Sequence, residues 1–154
     1  MEHRKKEEPN YIVYDARDKV LGRLASTVAK QLLKGENIAV VNAEKAFISG
    51  NKLKIAKRYR VRLNLQEKEN PEHSPYWSRR PDMFVRRIIR GMLPYHKKPS
   101  GKDAYKRLRV YSGFPKELNG AKTIDVVTKR PKSMYVGYVY VGELSKILGY
   151  DNTK

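Results

Sequence analysis

The sequence predicts an α/β fold, because two short runs of apolar, β-branched residues stand on either side of a segment with helical periodicity. The first run covers residues 11–15 and the second covers residues 37–42. Across residues 20–34 apolar side chains recur about every 3.6 residues, and Gly35 follows where a helix would end. A strand, a helix and a second strand in this order form a βαβ unit with parallel strands.

More elements are predicted beyond the βαβ unit. They are helices over residues 51–63, 81–92, 99–108 and 143–148 and a strand over residues 109–111. Pro81 suits the first turn of its helix, Asp82 complements the positive end of the helix dipole, and Gly91 followed by Pro94 supplies a stop. Residues 66–80 form a long polar loop, of a kind that usually binds something or is disordered.

The composition indicates a polyanionic partner. The 154 residues include 34 lysines and arginines against 16 acidic residues, which gives a formal net charge of +18 and a pI near 10.1. Repulsion at this level is usually relieved by nucleic acid, with an anionic membrane surface as the alternative. Cysteine is absent, which excludes disulfides, thiolate catalysis and cysteine-bound metals, and a reducing cytoplasm is the natural compartment.

The densest positive charge falls on and around the helix predicted over residues 81–92. Between Arg79 and Arg109 the chain has eleven lysines and arginines and two acids. The apolar side chains of the helix share one arc: Phe84, Val85, Ile88, Ile89 and Met92. The opposite arc has Arg86, Arg87 and Arg90. Arginines at fixed spacing on a rigid support are suited to an array of phosphates.

Two further segments are candidates for contact with nucleic acid. In the helix over residues 51–63, Lys54, Arg58 and Arg62 recur at a spacing of four, opposite Leu53, Ala56, Tyr59 and Leu63. Like charges at this spacing destabilise a free helix, so docking on phosphates is one interpretation and a solvated basic face the other. Trp77 stands before Arg79 and Arg80, where it would either stack on an unpaired base or anchor the loop by packing.

Signs of an active site are few. His3, His73 and His96 are isolated, which argues against a metal site, and neither a phosphate-binding glycine loop nor a dinucleotide fingerprint is present. Asp15 ends the first predicted strand and Glu44 follows the second, and the two are the best candidates for a catalytic pair. Carboxylates at strand ends more often cap turns or pair with lysines. We therefore expect a binding protein with no cofactor and no metal.

Several stretches together resemble the universal L-thirteen family of large-subunit ribosomal proteins. They are residues 15–16, 20–26, 40–44, 90–94 and 107–115, and in order and spacing they cover roughly residues 11–148. Bacterial members usually have a Tyr- and Gly-rich segment before the arginine helix and a His-Pro-His after the last motif. Residues 74–81 and 115–117 differ from both patterns, which makes the chain similar to archaeal members, with a short eukaryote-like member as the alternative.

The resemblance implies a three-layer α/β/α fold around a small, largely parallel sheet. It implies a cytoplasmic, non-enzymatic constituent of the large ribosomal subunit that binds large-subunit rRNA early in assembly, beside other ribosomal proteins. We expect a disordered charged tail over residues 1–10, one rRNA-binding domain over residues 11–150 and a short tail over residues 151–154. The predicted RNA-binding residues are Lys54, Arg58, Arg62, Trp77, Arg79, Arg80, Arg86, Arg87, Arg90, Lys97, Lys98, Lys102 and Lys106.

Two other classes of function stay open from the residues alone. One is an enzyme that processes nucleotides or nucleic acids with Asp15 and Glu44. The other is an adaptor that binds regulatory RNA or a protein away from the ribosome.

Overall fold

A four-stranded parallel sheet forms the centre of the molecule. The computed structural model describes residues 11–118, 123–124 and 137–151. Its strands are β1 (Ile12–Asp15), β2 (Ile38–Val41), β3 (Phe47–Ser49), β4 (Leu108–Val110), β5 (Thr123–Ile124) and β6 (Tyr138–Tyr140). The central sheet has the order β4-β2-β1-β5, and each of its neighbouring pairs is parallel. The predicted N-terminal tail, residues 1–10, lies outside the described residues, as do residues 152–154 of the tail predicted over residues 151–154.

Five helices accompany the sheet. They are α1 (Leu21–Leu33), α2 (Lys52–Leu63), α3 (Pro81–Met92), α4 (Pro99–Lys106) and α5 (Val141–Ile147). Gly35 has φ +103°, so it adopts the left-handed backbone that ends α1 as the sequence predicted. The side chain of Asn51 caps α2 by accepting hydrogen bonds from the amides of Leu53 and Lys54. The α/β class with a largely parallel sheet is thereby confirmed.

The larger hydrophobic core lies between the sheet and the helices. Leu24, Val28 and Leu32 of α1 are fully buried, as the helical period predicted, and they join Val40 of β2 and Ile89 of α3 in one cluster. The core therefore fixes α3 against the same layer that holds the sheet. Val13, Ala39 and Val41 form a separate, smaller cluster, against which Tyr11, Tyr111 and Leu118 pack.

A second, two-stranded sheet was not predicted. β3 and β6 pair antiparallel, with Phe47 opposite Tyr140 and Ser49 opposite Tyr138. The Phe47 ring meets the rings of Tyr138 and Tyr140 edge to face, at centroid distances of 5.6 and 6.4 Å. These ring contacts stabilise the pair beyond their apolar burial. The small sheet joins the segment after β2 to the segment that leads into α5.

Two apolar positions differ from the prediction. Leu53 and Met92 were assigned to the buried faces of their helices, but their exposed fractions are 78% and 42%. Ile55 packs against the core from α2 in place of Leu53, and α3 ends at Met92, where no further turn covers the side chain. The helix predicted over residues 99–108 ends at Lys106, because Leu108 begins β4. None of the described helices is both long and apolar enough to cross a membrane.

Candidate nucleic-acid interface

Helix α3 presents its three arginines from a fixed position. Phe84, Val85 and Ile89 are buried in the core and hold one face of the helix against α1 and β4. Arg86 and Arg90 are half-buried near the opposite face. Because a packed helix cannot rotate, the starting points of the arginine side chains are set by the core.

Each of these guanidinium groups also lies over an aromatic ring. Their Cζ atoms stand close to ring centres in the pairs Arg86 over Tyr105 at 4.6 Å, Arg87 over Trp77 at 3.8 Å and Arg90 over Tyr95 at 5.3 Å. A cation over the face of a ring is attracted by the ring's quadrupole. The rings therefore restrict the guanidinium groups, while the N–H edges of a stacked guanidinium remain able to donate hydrogen bonds.

Trp77 brings two helices together at its ring. The Cζ of Arg62, from α2, lies 5.0 Å from the Trp77 centroid, and the ring meets Tyr59 edge to face at 6.2 Å. An N–H of Arg87 also donates a 2.6 Å hydrogen bond to the backbone carbonyl of Tyr76. Trp77 is half-buried and packs as an anchor of the long loop, while its stacking on a base stays a prediction. Arg62 therefore contacts this cluster and is half-buried, whereas Lys54 and Arg58 of the same helix face are exposed.

The clustered arginines are not neutralised by carboxylates within the described part of the chain. In residues 11–118, 123–124 and 137–151, no ion pair with an acid involves Arg62, Arg86, Arg87 or Arg90. Burial lowers the pKa of Arg87, and the nearby charges of Arg90 and Arg62 lower it further. Nε of Arg86 is buried and has no hydrogen-bond partner within the described part of the chain. This surface is therefore a concentration of positive charge that no described carboxylate balances.

Two other predicted residues are tied to acids. Arg80 donates to both carboxylate oxygens of Asp82, at 3.2 and 2.8 Å, and this hydrogen bond raises the pKa of Arg80. Lys106 pairs with Asp103 at 3.2 Å, in an exposed position on α4. An exposed pair of this kind contributes little to stability and exchanges readily for another anion.

The remaining predicted residues lie on exposed surfaces. Their side chains come from three places: Lys54 and Arg58 on α2, Arg79 before α3, and Lys97, Lys98 and Lys102 on the turn and helix after it. The structure brings Trp77, Arg62 and the α3 arginines together and leaves these residues around them.

The two candidate catalytic carboxylates, Asp15 and Glu44, make hydrogen bonds that stabilise the fold. Asp15 accepts hydrogen bonds of 3.0 Å from the side-chain amide of Asn42 and from the backbone N–H of Arg17. Glu44 accepts a 2.9 Å bond from the backbone N–H of Gly113. Asn42 has φ +55°, a left-handed conformation that the bond to Asp15 helps to hold. Both carboxylates thus fix the turns at the carboxyl edge of the sheet, which was the alternative interpretation.

The rings beneath the arginines were missed from the sequence. Tyr59, Tyr95 and Tyr105 come from three separate segments and reach the arginines only through tertiary packing. The one available signal was compositional, since the chain has 11 tyrosines alongside its surplus of basic residues.

Comparison with known protein families shows which family the chain belongs to. The sequence pattern of the family described as Ribosomal protein L13 matches residues 9–117. The chain belongs to this family. The resemblance that the sequence motifs indicated is therefore confirmed. Members of the ribosomal protein L13 family are structural proteins and not enzymes, which confirms the prediction that the chain is not an enzyme.

Relatives match nearly the whole length of the chain. Large ribosomal subunit protein uL13 of Methanosphaera stadtmanae is 46% identical over 138 residues, which are 89% of this chain and 96% of the relative. The protein of that name from Methanosarcina barkeri is 47% identical over 139 residues, again 89% and 96%. The one from Methanopyrus kandleri is 43% identical over 152 residues, or 96% and 93%. These relatives are archaeal, in agreement with the predicted branch.

Proposed function

We propose that the protein is a structural component of the large ribosomal subunit in the cytoplasm, that it binds large-subunit rRNA, and that it supports early subunit assembly beside neighbouring ribosomal proteins. Membership in the ribosomal protein L13 family supports the place in the subunit. One observation supports the mode of RNA binding. The three guanidinium groups of α3 are each held over an aromatic ring, and no described carboxylate pairs with them.

The proposed mechanism is recognition of backbone shape. A-form RNA hides base edges in a deep major groove, so side chains on a rigid protein mainly meet phosphates and sugars. Arg86, Arg87 and Arg90 would contact one segment of rRNA. Lys54 and Arg58 on α2 would contact another. Specificity comes from the fixed separation of these sites, which only correctly folded rRNA matches.

Arginines that are already stacked on aromatic rings lose less conformational entropy when they bind RNA. An unrestrained arginine loses rotamer freedom when it grips a phosphate, at about 0.5–1.5 kcal/mol per side chain. Stacking on Tyr105, Trp77 and Tyr95 removes part of that freedom beforehand. Bidentate donation from a positioned guanidinium then gives a geometric selectivity that a flexible lysine lacks.

Binding of the purified chain to large-subunit rRNA across a salt series tests this function, with small-subunit rRNA as competitor. We expect a preference for large-subunit rRNA that survives moderate salt, because the spacing of the basic sites matches a folded target. Equal and salt-labile binding to both RNAs would contradict the proposal, since any cationic surface behaves in that way.

The double variant Arg86→Ala with Arg90→Ala tests the assignment of α3. Each lost phosphate contact reduces the slope of log affinity against log salt by about 0.7–0.9, so a decrease of nearly twice that is expected. Lys30→Ala with Lys34→Ala removes two exposed charges, one from α1 and one from the residue that caps its C-terminus, and serves as the matched control. Equal effects of the two double variants would refute the role of α3.

A further inference from the structure

A groove opens beside Trp77 between α2 and α3. It has a volume of about 320 Å³, and its charged and aromatic lining consists of Tyr59, Arg62, Trp77, Arg87, Arg90 and His96. Arg62 enters from α2, Arg87 and Arg90 from α3, and His96 from the turn that follows α3. The two helices and the anchored loop thus form a concave basic site, in which arginines from α2 and α3 line the same groove.

Positive charge converges on this groove. The guanidinium carbons of Arg62 and Arg87 both lie within 5.0 Å of the centre of the Trp77 ring. Arg90 is close enough to lower the pKa of Arg87. All three side chains are half-buried, and no described carboxylate pairs with any of them. Like charges held this close repel one another unless an anion joins them.

A regular duplex does not fit this arrangement. Along one strand of an A-form helix the phosphates are spaced evenly on an outer ridge, and that ridge matches a row of separate cations. Guanidinium groups that converge from two helices match one phosphate, or two adjacent phosphates, approached from several sides. RNA exposes a phosphate in that way where the strand turns sharply around an unpaired nucleotide.

We infer that the groove binds the phosphate of an unpaired, bulged nucleotide, held jointly by Arg62, Arg87 and Arg90. This inference rests on the proposed function and adds the kind of RNA element that the protein selects. Exposed cations such as Lys54 and Arg58 would then bind the phosphates of paired rRNA. The groove distinguishes an irregular element from the duplex around it, which the exposed rows of basic residues do not.

Two short RNA hairpins form the test, one fully paired and the other identical except for an unpaired bulge. Trp77 is the only tryptophan of the chain and lies in the groove, so its fluorescence reports occupancy directly. We expect the bulged hairpin to bind more tightly and to change the Trp77 emission saturably. The paired hairpin should bind more weakly and leave the emission nearly unchanged.

Arg62→Gln is the decisive variant, and Arg58→Gln is its matched control. Both remove one arginine from α2, but Arg58 is exposed and lies outside the groove. Loss of a charge-assisted hydrogen bond should weaken binding of the bulged hairpin by about tenfold in Arg62→Gln. Binding of the paired hairpin should weaken in Arg58→Gln, because Arg58 is assigned to phosphates of paired RNA, and should change little in Arg62→Gln. Arg90→Gln should reproduce the pattern from α3 and replaces Arg62→Gln if that variant does not fold.

The inference is overturned if wild-type protein binds both hairpins equally, or if Arg62→Gln weakens binding of the paired hairpin as much as binding of the bulged hairpin. Such a result would leave the proposed function intact, provided that the protein still prefers large-subunit rRNA over small-subunit rRNA. Loss of that preference would instead refute the proposed function itself.

Discussion

Replacement of Trp77 by leucine should weaken RNA binding without removing any charge. The ring holds the guanidinium groups of Arg87 and Arg62, at 3.8 and 5.0 Å from its centroid. Release of two arginines adds about 0.5–1.5 kcal/mol each to the cost of ordering them on RNA. The expected loss is therefore on the order of 1–3 kcal/mol, or roughly 5- to 150-fold in affinity.

The salt dependence separates this effect from a loss of charge. Because Trp77→Leu keeps every cation, the slope of log affinity against log salt should stay at the wild-type value. Arg87→Ala should instead lower the slope by about 0.7–0.9. Tyr76→Leu is the control for the loss of an aromatic side chain: Tyr76 is 85% exposed and contacts Arg87 through its backbone carbonyl, which the substitution keeps. Its affinity should match wild type.

A double-mutant cycle shows whether Trp77 acts through Arg87 or by direct stacking on a base. If the ring serves to hold the guanidinium groups, Trp77→Leu should have about half its wild-type effect in an Arg87→Ala background, because only Arg62 is then left to release. Fluorescence anisotropy of a labelled rRNA fragment gives the four affinities. Strictly additive effects, or an unchanged affinity in Trp77→Leu alone, would refute the support role of the ring.

Three further predictions concern stability, measured by denaturant unfolding. Ile89→Ala should lower the free energy of unfolding by about 2–5 kcal/mol, because Ile89 is fully buried; a loss below 1 kcal/mol would contradict its place in the core. Gly101→Ala should lower the free energy of unfolding, because an added Cβ would lie 2.5 Å from the backbone of the turn before α4. Gly91→Ala in α3 should raise the free energy of unfolding by about 0.5 kcal/mol, because its added Cβ meets nothing within 4 Å. Effects of the same sign in the two variants would contradict this prediction. The hydrogen bond to Asp18 raises the pKa of Tyr140 above its ordinary value, so the contribution of Tyr140 to stability should be fully present below pH 10 and be lost as the pH rises through the folded pKa. The fall in stability above pH 10 should therefore be smaller in Tyr140→Phe, and an equal fall in both proteins would contradict this.

The main elements of the fold were predictable because their signals are local. The arginine helix was placed over residues 81–92, and α3 has the same bounds, since apolar residues on one arc and Pro81 at the start define a helix without reference to the rest of the chain. β3 and β6 were not recognised as a pair. Each has three residues, too few to show a period, and their pairing depends on residues far apart in sequence.

The candidate site was predictable only in part. The arc that presents Arg86 and Arg90 follows from helical geometry alone. The rings that hold them, Tyr105 and Tyr95, belong to segments whose approach depends on how α4 packs after its turn. Gly101 lies so close to the backbone of that turn that a side chain at position 101 would not fit. The residues around Gly101 do not predict this contact. Sequence periodicity therefore predicted the positions of the arginines but not the aromatic rings on which they stack.

The order of strands in the sheet has a consequence for synthesis. β2 pairs on one side with β1, which precedes it closely, and on the other side with β4, where Ile38 meets Leu108. Helices α2 and α3 lie between β2 and β4 in the chain, so the arginine-bearing segment emerges from the ribosome before the strand that closes behind it. Non-local parallel pairing forms slowly, and an unpaired β2 edge is prone to misassociation in the meantime. A nascent chain of this protein must therefore pass through a stage in which its cationic segment is translated but not yet enclosed by the completed sheet.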